Sequence, residues 1–268
     1  MIKNKYKFIE RVIRVSLAFT CVSHLSMSTA LCGHFDLDDI DIATHKTHYN
    51  ALPSVEENDA LLKASPQFDS FLKEAEEIVT RYELESVVGL RLIHRHFALG
   101  ENQVMTEGYE TINEVPSLVT YAHKFEEAKG KGAVPASWIF SGASQEVLPF
   151  EVSTDAAVKA SSLKLQQSPE FFNEMGESLK KNNLHSLLSV AILKRDSLVA
   201  SEDQFYMEGL SLQGSRSIVQ LWDEDPNRIN FFRTSWSFKG PREQDCMSLW
   251  GCVIGRDGKH SDQIIGHF

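Results

Sequence analysis

The chain has 268 residues, 42% of them hydrophobic and 24% charged, with 15 Gly, 8 Pro and 4 Cys. That composition supplies a core and excludes the disordered, collagen-like and coiled-coil classes, and four Cys are too few for a disulfide scaffold. A net charge of −10 argues against a nucleic-acid binder, which needs a basic face for phosphates, and no run approaches the ~18 apolar residues of a spanning helix.

Residues 1–30 carry Lys3, Lys5, Lys7, Arg11 and Arg14 ahead of the apolar, small stretch from Val15. This is the layout of a secretory signal peptide, with Ser28 and Ala30 as the small residues before a cut. Removing it takes five bases and one acid, leaving 22 against 36 and a net charge of −14. The expectation is a secreted or cell-envelope protein with no membrane segment after processing; the alternative is a cytoplasmic one, or one delivered by a non-classical route. Residues 31–64 form an acidic lead-in without sustained periodicity. The run from Asp36 to Asp41 lacks the turn Gly and distal Glu of a calcium loop and reads as a solvated acidic arm.

From residue 65 the chain resembles itself, and repeats are sought before motifs. Ser65-Pro66-Gln67-Phe68 returns as Ser168-Pro169-Glu170-Phe171, each a helix start with Ser as cap and Pro at the first turn. Ser86–His96 lies over Ser186–Asp196; Glu101, Gln103, Glu107 and Gly108 match Glu202, Gln204, Glu208 and Gly209; Ser117-Leu118-Val119 matches Ser217-Ile218-Val219; and Ser137-Trp138 matches Ser235-Trp236. The predicted fold is α+β, an internal duplication of a helix plus an antiparallel meander, as two pseudo-symmetric halves (65–142 and 168–240) sharing one core. Residues 143–167 are a linker with a short helix from Thr154 to Leu165, and 241–268 a Cys/His-rich tail. Trp138 and Trp236 are expected as paired core anchors.

Two metal sites are candidates. Cys246, Cys252, His260 and His267 supply the two thiols and two imidazoles of a structural zinc site, with four glycines among them to let the tail wrap a cation. In an oxidising compartment Cys246 and Cys252 pair as a disulfide instead, leaving Cys32 as an odd thiol. The second candidate is His94-Arg95-His96 with Glu101: on a strand, residues two apart share a face, and two imidazoles plus a carboxylate suit iron or manganese. Gly89, His94, His96, Glu101 and Gly108 resemble in spacing the first motif of the cupins, over some 20 residues. The second half carries Lys194 and Asp196 in place of the two His, which favours a solvated strand end; a third reading has Arg95 and Arg195 pair with glutamates inside each unit as a repeated salt link. No phosphate loop, dinucleotide turn, H-E-x-x-H or G-x-S-x-G elbow occurs.

The expected function is therefore an exported acidic protein that binds a protein or small-molecule partner, with structural zinc in its tail. The alternative is a metal-dependent enzyme (iron, manganese or zinc) using His94, His96 and Glu101.

Overall fold

A computed structural model describes residues 37, 40–140, 146–193, 205–211, 216–222, 231–238 and 251–253. The fold is α+β. The helices are α1 (Ile42–Asn50), α2 (Val55–Lys63), α3 (Phe68–Arg81), α4 (Phe125–Gly130), α5 (Ala156–Gln166) and α6 (Pro169–Lys181). The strands are β1 (Val88–Leu92), β2 (Gln103–Ile112), β3 (Val115–Lys124), β4 (Val134–Phe140), β5 (Val147–Ser153), β6 (Leu188–Ile192), β7 (Phe205–Ser211), β8 (Arg216–Trp222), β9 (Phe231–Arg233), β10 (Ser235–Ser237) and β11 (Gly251–Val253). Among the described residues no helix is long and apolar enough to cross a membrane.

Local chemistry accounts for the helices. Ser54 and Glu57 form a reciprocal capping box on α2, which satisfies two orphan N–H groups. In α3 Phe71, Ala75, Ile78 and Val79 are buried, and in α6 Phe171, Phe172, Met175 and Leu179, each set one apolar stripe at helical spacing. Both helices close alike: Glu83 (φ 57°) and Asn183 (φ 56°) turn left-handed, and the N–H groups of Leu84 and Leu184 reach back to the carbonyls of Val79 and Leu179, the Schellman pattern. The expected serine caps are absent. Neither α3 nor α6 has a side-chain cap, because Ser65 Oγ donates to Gln67 and Ser168 Oγ to the Lys164 carbonyl.

The strands form one sheet in the order β10-β1-β6-β4-β5-β2-β3-β8-β7-β11-β9. β9 and β10 are a single run of chain parted only by Thr234, so the two ends of that order meet and the sheet curls closed. It is not the meander expected from the sequence. β1 pairs with β6 and β10 rather than β2, since the ten residues between β1 and β2 are enough to cross to another part of the sheet. Two pairs, β2 with β5 and β7 with β11, are parallel. The long β2–β3 hairpin turns on Asn113 and Glu114, both with positive φ, the two-residue geometry that matches strand twist.

Three further stretches differ from expectation. The lead-in contains α1 and α2, with Tyr49, Val55 and Leu62 buried; their apolar residues are too sparse for a periodic signal. The presumed linker contains β5 as well as α5, and the C-terminal stretch contributes β11, held between β7 and β9.

Alternation along β1, β6 and β4 separates two environments. Val88, Leu90, Leu92, Leu188, Val190, Ile192 and Trp138 join Trp236 and α2, α3, α5 and α6 in the main core, where both tryptophans anchor as expected. The alternate positions, Arg91, Ser137, Ser189 and Ala191, are buried or nearly so on the other face. At Gly89 on that face a Cβ would collide with the Trp236 carbonyl and the Leu193 side chain.

Candidate functional site

Inside the curled sheet lies a small cavity of about 10 Å³, the size of one water or one small ion. Arg91, His94, His96, Glu107, Leu118, Thr120, Glu151, Glu208, Val219 and Thr234 line it, so β1, β2, β3, β5, β7, β8 and the β9–β10 junction all face one interior.

The two histidines follow β1 rather than lying on it. β1 is pinned where it ends: the Leu92 N–H donates to the Thr234 carbonyl (2.8 Å) and that of Ile93 to Leu187 (2.8 Å). The chain then turns inward, and the α1–α2 segment holds the turn. Asn58 donates to the Ile93 carbonyl, the Arg95 N–H to Pro53 (3.0 Å) and the His96 N–H to the Tyr49 hydroxyl (3.4 Å). Asn50 clasps Leu99 through both backbone groups, at 2.7 and 2.9 Å. The rings of His94 and His96 are 4.4 Å apart between centroids.

His94 is 3% exposed, which overturns the solvated strand end. Its Nδ1 lies 2.9 Å from the Leu92 carbonyl; a carbonyl only accepts, so Nδ1 carries the proton and Nε2 the lone pair. Burial, and then the neighbouring His96, lower its pKa to about 4, leaving a neutral imidazole at neutral pH. His96 Nδ1 makes no hydrogen bond and lies 3.2 Å from Glu208 Oε1. Glu208 reaches the cavity from β7 and accepts a hydrogen bond from Ser217 on β8. The ligand atoms of His94, His96 and Glu208 all lie within 4.8 Å of one another, a group that could hold a metal ion.

Around this trio the charges are organised by Arg91. It pairs with Glu151 and stands 3.8 Å from Glu107, while Ser137 Oγ donates to Glu151 at 3.2 Å. Burial opposes the Arg91 charge, but Glu151, Glu107 and Glu208 outweigh it and raise its pKa. The Tyr49 hydroxyl is pushed well above its ordinary pKa by burial, and further by Glu151 and Glu208.

The expected third ligand is elsewhere. Glu101 pairs with Lys46, and its side chain is 83% exposed, so the cupin-like spacing is not a ligand set here. Among the described residues Arg95 makes no salt link; its side chain donates to the Asn50 carbonyl. Cys246, His260 and His267 lie outside the described residues, as do Cys32, Lys194, Arg195 and Asp196. Of Cys252 the backbone is described, in β11 opposite Glu208. Glu208 itself was visible only as an oddity, a carboxylate within an otherwise strand-like run that repeats Glu107. Comparison with protein-family models, with curated proteins and with solved structures finds no match.

Proposed function

We propose that this protein binds one divalent transition-metal ion, zinc foremost, inside its sheet through His94, His96 and Glu208. The observation that carries the reading is the convergence of those three ligand atoms within 4.8 Å in a buried setting. Ligand bonds of about 2.0–2.1 Å at a tetrahedral angle separate two ligand atoms by roughly 3.3 Å, close to the 3.2 Å between His96 Nδ1 and Glu208 Oε1. The same ligand types serve iron and manganese enzymes; a cavity of about 10 Å³ matches a bound ion, and the reading is ion binding.

A duplication underlies the site in this proposal, with units broader than the sequence blocks: α2 to β5 and α5 to β11. In its support, β1 and β6 pair antiparallel with Leu90 facing Val190, and β3 and β8 pair with Leu118 facing Val219 and Val119 facing Ile218. Each pairing sets matched residues across a twofold relation. Arg81 pairs with Glu174 and Lys181 with Glu74, again reciprocal. The parallel pairs match too: Glu107 faces Ser153 as Glu208 faces Cys252. The first half then supplies both imidazoles and the second the carboxylate.

The export address and the tail zinc set remain proposals; apart from the backbone of Cys252, their residues lie outside the described ones. Metal analysis with zinc titration separates the two zinc sites. One interior zinc per chain is expected, lost in His94→Ala and Glu208→Gln and kept in Glu101→Gln and Cys252→Ser; zinc that survives His94→Ala but leaves with Cys252→Ser would overturn the interior site.

A further inference from the structure

The interior holds a second layer of polar side chains with a direction to it. His96 sits between two carboxylates: Nδ1 is 3.2 Å from Glu208 Oε1, and Nε2 is 3.9 Å from Glu151 Oε1. The carboxylates are held differently. Glu208 is reached by Ser217 from the neighbouring strand. Glu151 is gripped by the Arg91 guanidinium and by Ser137, whose Oγ also accepts from the Glu151 N–H at 3.2 Å, so backbone and side chain are both located. The His96 side chain is only 6% exposed, and its Nδ1 makes no hydrogen bond.

A histidine bound to a metal through one nitrogen keeps its proton on the other and generally gives it to a carboxylate or a carbonyl, which orients the ring and raises its basicity. Glu208 is the carboxylate nearer the ring, on the Nδ1 side, and the proposed ion sits there. From this we infer that Glu151, held by Arg91 and Ser137, is a positioning residue: with the ion on Nδ1, it faces the Nε2 proton of His96 and fixes which way the ring is turned. His94 is set the opposite way, its Nδ1 proton taken by the Leu92 carbonyl at 2.9 Å, so it offers Nε2. The two histidines bind through different nitrogens because their proton acceptors lie at different ring positions. This inference rests on the metal reading.

The test is nitrogen-15 NMR of the imidazole rings in the full chain with one zinc added, beside zinc titration of Glu151→Gln. His96 should show a coordinated Nδ1 and a protonated Nε2, and His94 a coordinated Nε2. Glu151→Gln should still bind one zinc, roughly 10- to 100-fold more weakly. Zinc on Nε2 of His96, or unchanged affinity in Glu151→Gln, would each overturn the role of Glu151 and leave the metal reading standing. Native protein that takes up no zinc would sink the metal reading and the positioning role with it. Should Glu151→Gln fail to fold, the nitrogen of His96 that zinc takes in the native chain decides alone.

Discussion

Arg91 is the residue on which the interior charge depends. It is buried among Glu107, Glu151 and Glu208, and taking one partner out of a buried ion pair costs about 3–5 kcal/mol because the other is left without compensation. Arg91→Met should therefore lower stability by about that much in urea unfolding, whereas Glu101→Gln at the exposed Lys46 pair should change it by under about 1 kcal/mol. A second prediction concerns His45 on α1. Its Nε2 is buried without a hydrogen bond, and burial, then the nearby His48, lower its pKa from 6.5 to about 4. The unfolded chain takes up a proton below pH 6.5 and the folded one does so only near 4. Stability is thus full above pH 6.5 and declines as pH falls toward 4, by on the order of 3 kcal/mol at most from this group. Unfolding at pH 7 and 4.5 measures it, and His45→Gln should flatten that part of the slope. Residue types were legible at this scale: the two histidines stood out as candidate ligands, although Lys194 and Asp196 in the second half favoured a solvated strand end. Their carboxylate did not, because Glu208 lies more than a hundred residues along the chain from His96 and meets it only once β7 has taken its place in the sheet.

At the scale of elements, sequence pattern worked wherever one stripe faced one core. α3 and α6 each bury a continuous apolar face and were readable as helices. α1 was not, since Tyr49 is its one fully buried residue; that ring packs with Ile93, Leu99, Met105 and Phe150, and Asn50 at the helix end adds polar contacts. Those contacts suggest a test. Asn50→Ala removes both hydrogen bonds to Leu99 and should cost about 1–3 kcal/mol, with faster amide exchange in residues 93–101 than in α3; uniform change across the chain would count against a local clasp. The end of α3 predicts the opposite sign. Glu83 holds φ 57°, a region that disfavours any side chain with a Cβ. Glu83→Gly should raise stability by roughly 0.5–1 kcal/mol, because the Leu84 to Val79 hydrogen bond and the Lys164 contact to the Glu83 carbonyl are backbone features that glycine keeps. Asn183→Gly should gain less, as Asn tolerates this conformation better. Thermal unfolding of both variants compares them.

The whole molecule was legible as α+β and not as a closed sheet. Strand content follows from alternation, but closure depends on which strands pair, and the decisive pairs join distant parts of the chain: Leu90 with Val190, Leu118 with Val219, Leu90 with Trp236. A meander was the economical expectation from short gaps, and the gap between β1 and β2 defeats it. The closed arrangement has a consequence for folding. Neither proposed half contains a complete sheet: β1 needs β6 and β10 beside it, and β3 needs β8, so a lone half exposes open strand edges. The main core likewise draws Phe71 and Phe171, Trp138 and Trp236 into one cluster. The full chain should then unfold in one cooperative step, with tryptophan fluorescence and far-ultraviolet circular dichroism tracing the same urea transition; two separated transitions would mean that the halves hold independent cores. A fragment of residues 40–153, which carries β1 and β3 without their partners, should be found folded only as a dimer, the second copy standing in for the missing half through the Leu90 and Leu118–Val119 pairings. Light scattering of that fragment settles the point, and a folded monomer would refute the twofold relation between the halves.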